Sequence, residues 1–127
     1  MRASLVVFAA GFSVAVCGPA PAQVPRSDEA ARTIRIVERN HLGLLAYCRE
    51  RGLVESEAVD RQRRVLGALP VAEDAALGAA EEALGRDGVI AFGESRTTLA
   101  ADAAAEGISV AYDCFQIALR AMPRETR

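Results

Sequence analysis

Between Ser27 and Gly52, the positions Ala30, Ile34, Val37, His41, Leu44, Leu45 and Cys48 recur mainly at steps of three and four, which gathers them on one side of a helix. Ser27 can cap that helix, Asp28 and Glu29 suit the positive end of its dipole, and Gly52 is a natural stop. A second helix is predicted from about Ser56, with Ala58, Val65, Leu66 and Leu69 on a common side and Arg61, Arg63 and Arg64 facing outward. It must end at Pro70, which has no N–H to donate into a continuing ladder. A third, Ala-rich helix carries Leu77, Ala80 and Leu84 and meets Gly85 and Gly88, and its continuation through 86–93 stays open. Val89–Phe92 has the composition of a strand, but no partner strand is expected for it, so a helical or irregular path is expected there. Thr97 or Thr98 opens a short helix ending at Gly107. Ser109 caps the last one, which runs to about Ala121 with Val110, Cys114, Ile117, Ala118 and Ala121 facing one way.

The start of the chain has a different pattern. Met1 and Arg2 supply a positive beginning, Leu5 to Val16 are uncharged and apolar, and Ala20-Pro21-Ala22 offers the small-x-small pattern of signal peptidase. The expectation is a secretory leader over residues 1–22, cut before Gln23, since a spanning helix needs about 20 apolar residues and Gly18, Pro19 and Pro21 end this run sooner. Cys17-Gly18 also resembles a lipoprotein acylation signal, but Val16 stands where that signal has a smaller residue. Residues 23–127 are then expected to form a single helical domain with mobile ends at 23–26 and 123–127, located in the periplasm or outside the cell.

Export changes the reading of the cysteines. With Cys17 removed, Cys48 and Cys114 remain as an even pair in an oxidising compartment, and a disulfide between them is expected. The pair is far apart in sequence, with Arg49 the only adjacent cation, so the bond is structural rather than redox-active. Tyr47, Tyr112 and Phe115 lie within two positions of a cysteine and are expected to wrap the bridge. The fold class that follows is all-α: a compact bundle of four to five short helices with one disulfide.

Composition narrows the function. The 127 residues carry 15 basic side chains, all Arg, against 17 acidic ones, and 51% are hydrophobic, which excludes a disordered polar chain and a polybasic nucleic-acid arm. Residues 26–64 hold nine Arg and seven acids, whereas 65–119 hold two and nine, so the middle is acidic. Familiar catalytic toolkits are missing: there is no His-Glu-x-x-His, phosphate-cradling Gly loop or Gly-x-Ser-x-Gly turn, and no catalytic residue, cofactor or metal site is expected. Glu73-Asp74 and Glu81-Glu82 are read as a solvated acidic face. His41, the one histidine, lies on the apolar stripe and is read as a core or rim residue with pH sensitivity as its open use. The run Leu99 to Ser109 resembles the front half of a DNA-binding helix-turn-helix, but Asp113 stands where the recognition helix needs an apolar anchor, and nucleic acid is not expected as a partner.

Gly85-Arg86-Asp87-Gly88, Leu99-Ala100-Ala101-Asp102-Ala103-Ala104-Ala105, Gly107-Ile108-Ser109-Val110-Ala111-Tyr112-Asp113-Cys114, Tyr47-Cys48 and Gly67-Ala68-Leu69-Pro70 together resemble small exported proteobacterial proteins labelled as the pore-forming early secretory antigenic target family. That resemblance implies pore formation. Members of the secreted helical-hairpin family resemble leaderless chains with a Trp-x-Gly turn, whereas this chain is expected to carry a leader and has no Trp. In outline the architecture is also similar to the periplasmic acid-stress chaperones. The leading expectation is a non-enzymatic envelope protein that binds a protein partner through a helix face. The alternatives are a membrane-active protein, which a disulfide opposes, and a pH-conditioned chaperone using His41 and the acidic middle.

Overall fold

A computed structural model describes Gly18 and residues 25–70 and 75–122, with the backbone alone for 25–27. The expected leader, Cys17 and the ends at 23–24 and 123–127 lie outside the described residues, Gly18 apart. Helix α1 spans Pro25–Glu50. It starts two residues before the expected Ser27 cap, because Pro25 has a preset φ and its missing N–H would be unpaired at a helix start anyway. At the other end Gly52 takes φ +69°, its N–H donates to the Arg49 carbonyl at 2.9 Å, and Leu53 N–H donates to the Cys48 carbonyl at 2.9 Å. Those two bonds satisfy the last carbonyls and turn Leu53 back onto the core.

Helix α2, Ser56–Ala68, buries Ala58, Val59, Gln62 and Leu66. Gln62 rather than Val65 completes the inner stripe: its amide donates to the Glu38 carbonyl at 3.0 Å and also to the Glu38 carboxylate. Arg61, expected outside with Arg63 and Arg64, is half-buried instead. Helix α3 spans Ala75–Arg86. The expected Leu77, Ala80 and Leu84 face is not its buried one; Gly78, Glu81 and Gly85 are. Backbones meet there. A Cβ added at Gly43 would lie 2.1 Å from the Glu82 carbonyl oxygen, and one at Gly85 would lie 2.3 Å from the Asn40 carbonyl oxygen. Only hydrogen at both positions lets α1 and α3 cross this closely, so the glycines are the contact and the leucines are left to the rim.

Beyond α3 the expected helical or irregular path is corrected. Strand β1, Val89–Phe92, pairs antiparallel with β2, Ser95–Thr98, from Val89↔Thr98 to Phe92↔Ser95. Gly93 takes φ +59° while Glu94 does not have positive φ, the Gly-first pattern that two-residue hairpin turns favour. A two-stranded ribbon is marginal in isolation. This one is held by Asn40, buried on α1, whose amide donates to the carbonyls of Glu81 at 3.1 Å and Val89 at 3.0 Å while its oxygen accepts from Ala91 N–H at 3.1 Å. Arg96 adds an ion pair to the buried Glu81 at 2.8 Å. Glu82 turns the opposite way, to Arg39 at 3.1 Å and Arg86 at 3.0 Å. The Glu81-Glu82 pair is therefore structural bracing rather than a solvated acidic face, and Glu73-Asp74 lies outside the described residues.

Helix α4, Leu99–Glu106, and helix α5, Val110–Arg120, follow the expected caps. The Thr98 hydroxyl accepts from Ala101 N–H and the Ser109 hydroxyl from Tyr112 N–H, both at 3.1 Å, with Gly107 at φ +70° between the helices. Among the described residues the fold is mostly helical, with five helices and one small hairpin, and it holds the expected Cys48–Cys114 disulfide. Leu44, Leu45, Cys48, Val59, Leu99, Cys114 and Ile117 make up the middle of the core.

Candidate functional site

Helix α5 carries apolar residues on two sides. Cys114, Ile117, Ala118 and Ala121 point inward as expected. Tyr112, Phe115, Leu119 and Met122 form a second stripe at helical spacing, and they are 48%, 51%, 41% and 49% exposed. The aromatics expected around the bridge are thus placed differently: Tyr47 packs against the core, whereas Tyr112 and Phe115 face outward with ring centroids 6.3 Å apart.

The outward stripe borders two recesses that meet at Arg61 and Met122. One, of about 480 Å³, lies between the turn and start of α2 at Leu53, Val54 and Ala58 and, opposite, Phe115 and Leu119 of α5 with Met122 just beyond its end. The other, of about 330 Å³, is lined by Val65, Ala68 and Ala121 with Arg64 and Arg120 at its edge. Arg61 stands at the junction, and its Nε is buried without a hydrogen-bond partner. The arrangement offers an apolar trough with three guanidinium groups toward its Met122 end. A helix laid in it would meet anchors at the three- and four-residue steps of its own surface.

On the other side of α5 a smaller polar recess of about 210 Å³ gathers residues from four elements: His41 and Leu44 from α1, Ile90 from β1, Asp102 and Glu106 from α4, and Asp113, Gln116, Ile117 and Arg120 from α5. Asp113 is only 8% exposed, and its Oδ2 has no hydrogen-bond partner. Burial pushes its carboxyl above the ordinary value, Asp102 and Glu106 push the same way, and Arg120 opposes them. His41 is half-buried on the wall, and its Nδ1 lies 3.6 Å from the Glu38 carboxylate. That neighbour lowers the Glu38 pKa against the effect of burial, with the Gln62 amide adding to the lowering.

Of the residues singled out in the sequence, Cys48 and Cys114 are brought together, with Cα atoms 5.9 Å apart, and His41 lies in a separate place among carboxylates. Arg61, the outer stripe of α5 and the Asp102–Glu106–Asp113 group were not read as a site. The steps 112, 115, 119 and 122 were visible as a signal, hidden because the stripe interleaves with the core face of the same helix. Among the described residues no cluster of three or more His, Cys, Asp or Glu side chains could hold a metal ion, and no helix is long and apolar enough to cross a membrane. No family model matches the chain, and neither a curated protein nor a solved structure does.

Proposed function

We propose that this is an exported, non-enzymatic protein that holds an amphipathic, acidic helical segment of a partner protein in the trough between α2 and α5. The observation that carries this reading is the outward stripe of α5, whose large side chains are about half exposed beside an apolar trough. Ordered apolar surface of this kind gains most of its burial energy on association, at about 25 cal/mol for each Å² removed from water. Arg61, Arg64 and Arg120 supply the charge that selects the occupant. A carboxylate on the partner would give these guanidinium groups charge-assisted bonds. The recessed shape favours a helix over a lipid surface, which would be met better by a protruding wedge.

The test is a photo-crosslinking residue placed at Leu119, in the trough, or at the exposed Ala100 on α4, in cells that export the protein. The reading expects one discrete protein adduct from position 119, none from 100, attachment at a peptide rich in Asp or Glu, and a weaker adduct in an R61Q/R64Q background. Absence of an adduct at 119, equal labelling from both positions, or attachment to lipid alone overturns it.

A further inference from the structure

We infer that the partner helix lies in the trough parallel to α2 and α5, with its N-terminal end at Glu55 and Glu57 and its C-terminal end, which carries its acidic residues, at Arg61, Arg64 and Arg120. This direction rests on the trough being the partner's seat, and it adds the orientation and charge order of the occupant. Charges are sorted along the trough. The larger recess, at the start of α2, is lined by Glu55 and Glu57 beside Leu53 and Val54. The smaller one, toward Ala68, is lined by Arg61, Arg64 and Arg120 and by no acidic side chain. Glu55, Glu57, Arg64 and Arg120 are exposed, and among the described residues none of these five groups forms an ion pair. Glu55 stands at the N-cap of α2 without a side-chain capping bond, and Glu57 accepts only a long bond of 3.5 Å from the Ser56 hydroxyl. Asp60 and Arg63, which do pair, at 3.0 Å, do not line the trough.

The dipoles of the two walls oppose this charge order and are outweighed by it. Helix α2 begins at the glutamate end and finishes at Ala68, and α5 passes Phe115 at that same end and reaches Arg120 at the other. A helix terminus carries about half an elementary charge, positive where the chain enters and negative where it leaves. Two carboxylates exceed the single α2 N-terminus at one end, and three guanidinium groups exceed the two C-termini at the other. Arg120 also borders the polar recess beyond α5, and without it Arg61 and Arg64 still exceed those C-termini. A third helix is therefore seated best with its positive end at the glutamates. Hydrogen bonding selects the same direction. The last four carbonyls of a helix have no partner within it, and Arg offers five donors and no acceptor. The first four N–H groups are likewise free, and carboxylates accept them. Reversal would set carbonyls against carboxylates, where acceptor meets acceptor. Asp or Glu near the end of the occupant meets guanidinium, whereas in its first turn it would meet Glu55 and Glu57. Helix α2 has 13 residues, about 20 Å, so three to four turns of the partner fit alongside it.

The experiment places benzoylphenylalanine at Phe115, at the glutamate end, or at Ala68, at the arginine end, in cells that export the protein, and maps where each adduct joins the partner. Both positions are exposed and line the trough. They should trap the same protein as Leu119, and the attachments should run from N- to C-terminal along the partner in the order 115, 119, 68, with Asp or Glu concentrated near the last. E55Q/E57Q should lower the adduct yield at 115 and 68 by at least about threefold, the worth of two charges at a helix end, whereas D60N, on the same helix but off the trough, should not. The opposite order, both orders in equal amount, coincident attachments, an adduct at 119 without one at 115 and 68, or equal yields in E55Q/E57Q and D60N overturn the direction and leave the trough itself standing. No adduct from any of the three positions overturns the trough, and the direction falls with it.

Discussion

Gly43→Ala should be the most informative single substitution in the fold. The added methyl would stand 2.1 Å from the Glu82 carbonyl oxygen and 2.8 Å from the Arg86 nitrogen, where ordinary contact begins at 3.4 Å. Both obstacles are backbone, so no side chain can swing aside, and α3 must retreat by roughly 1 Å from a close-packed interface. Overpacking of this kind costs about 3 kcal/mol, and the better helix propensity of Ala returns about 1, leaving a loss of about 2 kcal/mol. With a urea slope of about 1.5 kcal/mol/M for a chain this small, the unfolding midpoint should fall by roughly 1.3 M, the disulfide being intact. Gly67→Ala is the matched control: it is also helical, on α2, but nothing lies within 4 Å of its added Cβ. It should gain about 0.5–1 kcal/mol from propensity alone. G43A with G85A should cost less than the two separately, because the first methyl already parts the helices. A G43A midpoint equal to or above that of the wild type, or equal shifts in G43A and G67A, refutes the argument that bare backbone contact sets this crossing.

Asn40→Ala removes three bonds that tie the hairpin and α3 to α1, and should cost about 3 kcal/mol in urea unfolding while speeding amide exchange at Ala91. Replacing Cys48 and Cys114 by Ala should lower stability by roughly 4 kcal/mol, the chain-entropy value for a separation of 66 residues, as read by the same unfolding curve. Glu38→Gln should destabilise at neutral pH. The folded carboxyl of Glu38 sits below its ordinary 4.5, so its contribution is present above that value, is lost as pH falls through the folded pKa, and the gap from wild type should close in acid. Asp113→Asn should do the reverse. A pKa raised above the ordinary 3.8 weakens the fold as pH rises through the folded pKa, so the variant should melt higher than wild type at neutral pH, with the difference shrinking toward pH 3.8.

Capping residues and the disulfide were legible because each acts locally or through a simple count: Gly52, Thr98, Gly107 and Ser109 stand where their chemistry predicts, and only two cysteines remain after the expected cut. The α3 interface was not, since periodicity rewards large apolar side chains, whereas this contact is made of glycine. Strand β2 escaped for a related reason. Ser95-Arg96-Thr97-Thr98 is mostly exposed and shows no apolar alternation, and its pairing depends on the Gly93 turn and on Asn40, which lies 51 residues before Ala91. Asn40 falls within the stripe of α1, three positions after Val37 and four before Leu44, and a polar residue there is the signal that was available. Asp113 was noticed as a misfit at an anchor position, and its burial shows that the position is indeed an inward one, occupied by a charge.

The Cys48–Cys114 bond grips α5 along its buried edge, next to Asp113 and Phe115 in sequence, and leaves the outward stripe of that helix uncommitted to the core. A covalent clamp on one edge lets that stripe be rewritten, residue by residue, without the helix losing its seat. Drift at Tyr112, Phe115, Leu119 and Met122 would therefore reshape the proposed trough while the scaffold stays put, and a reductant that opens the clamp would loosen the stripe's footing.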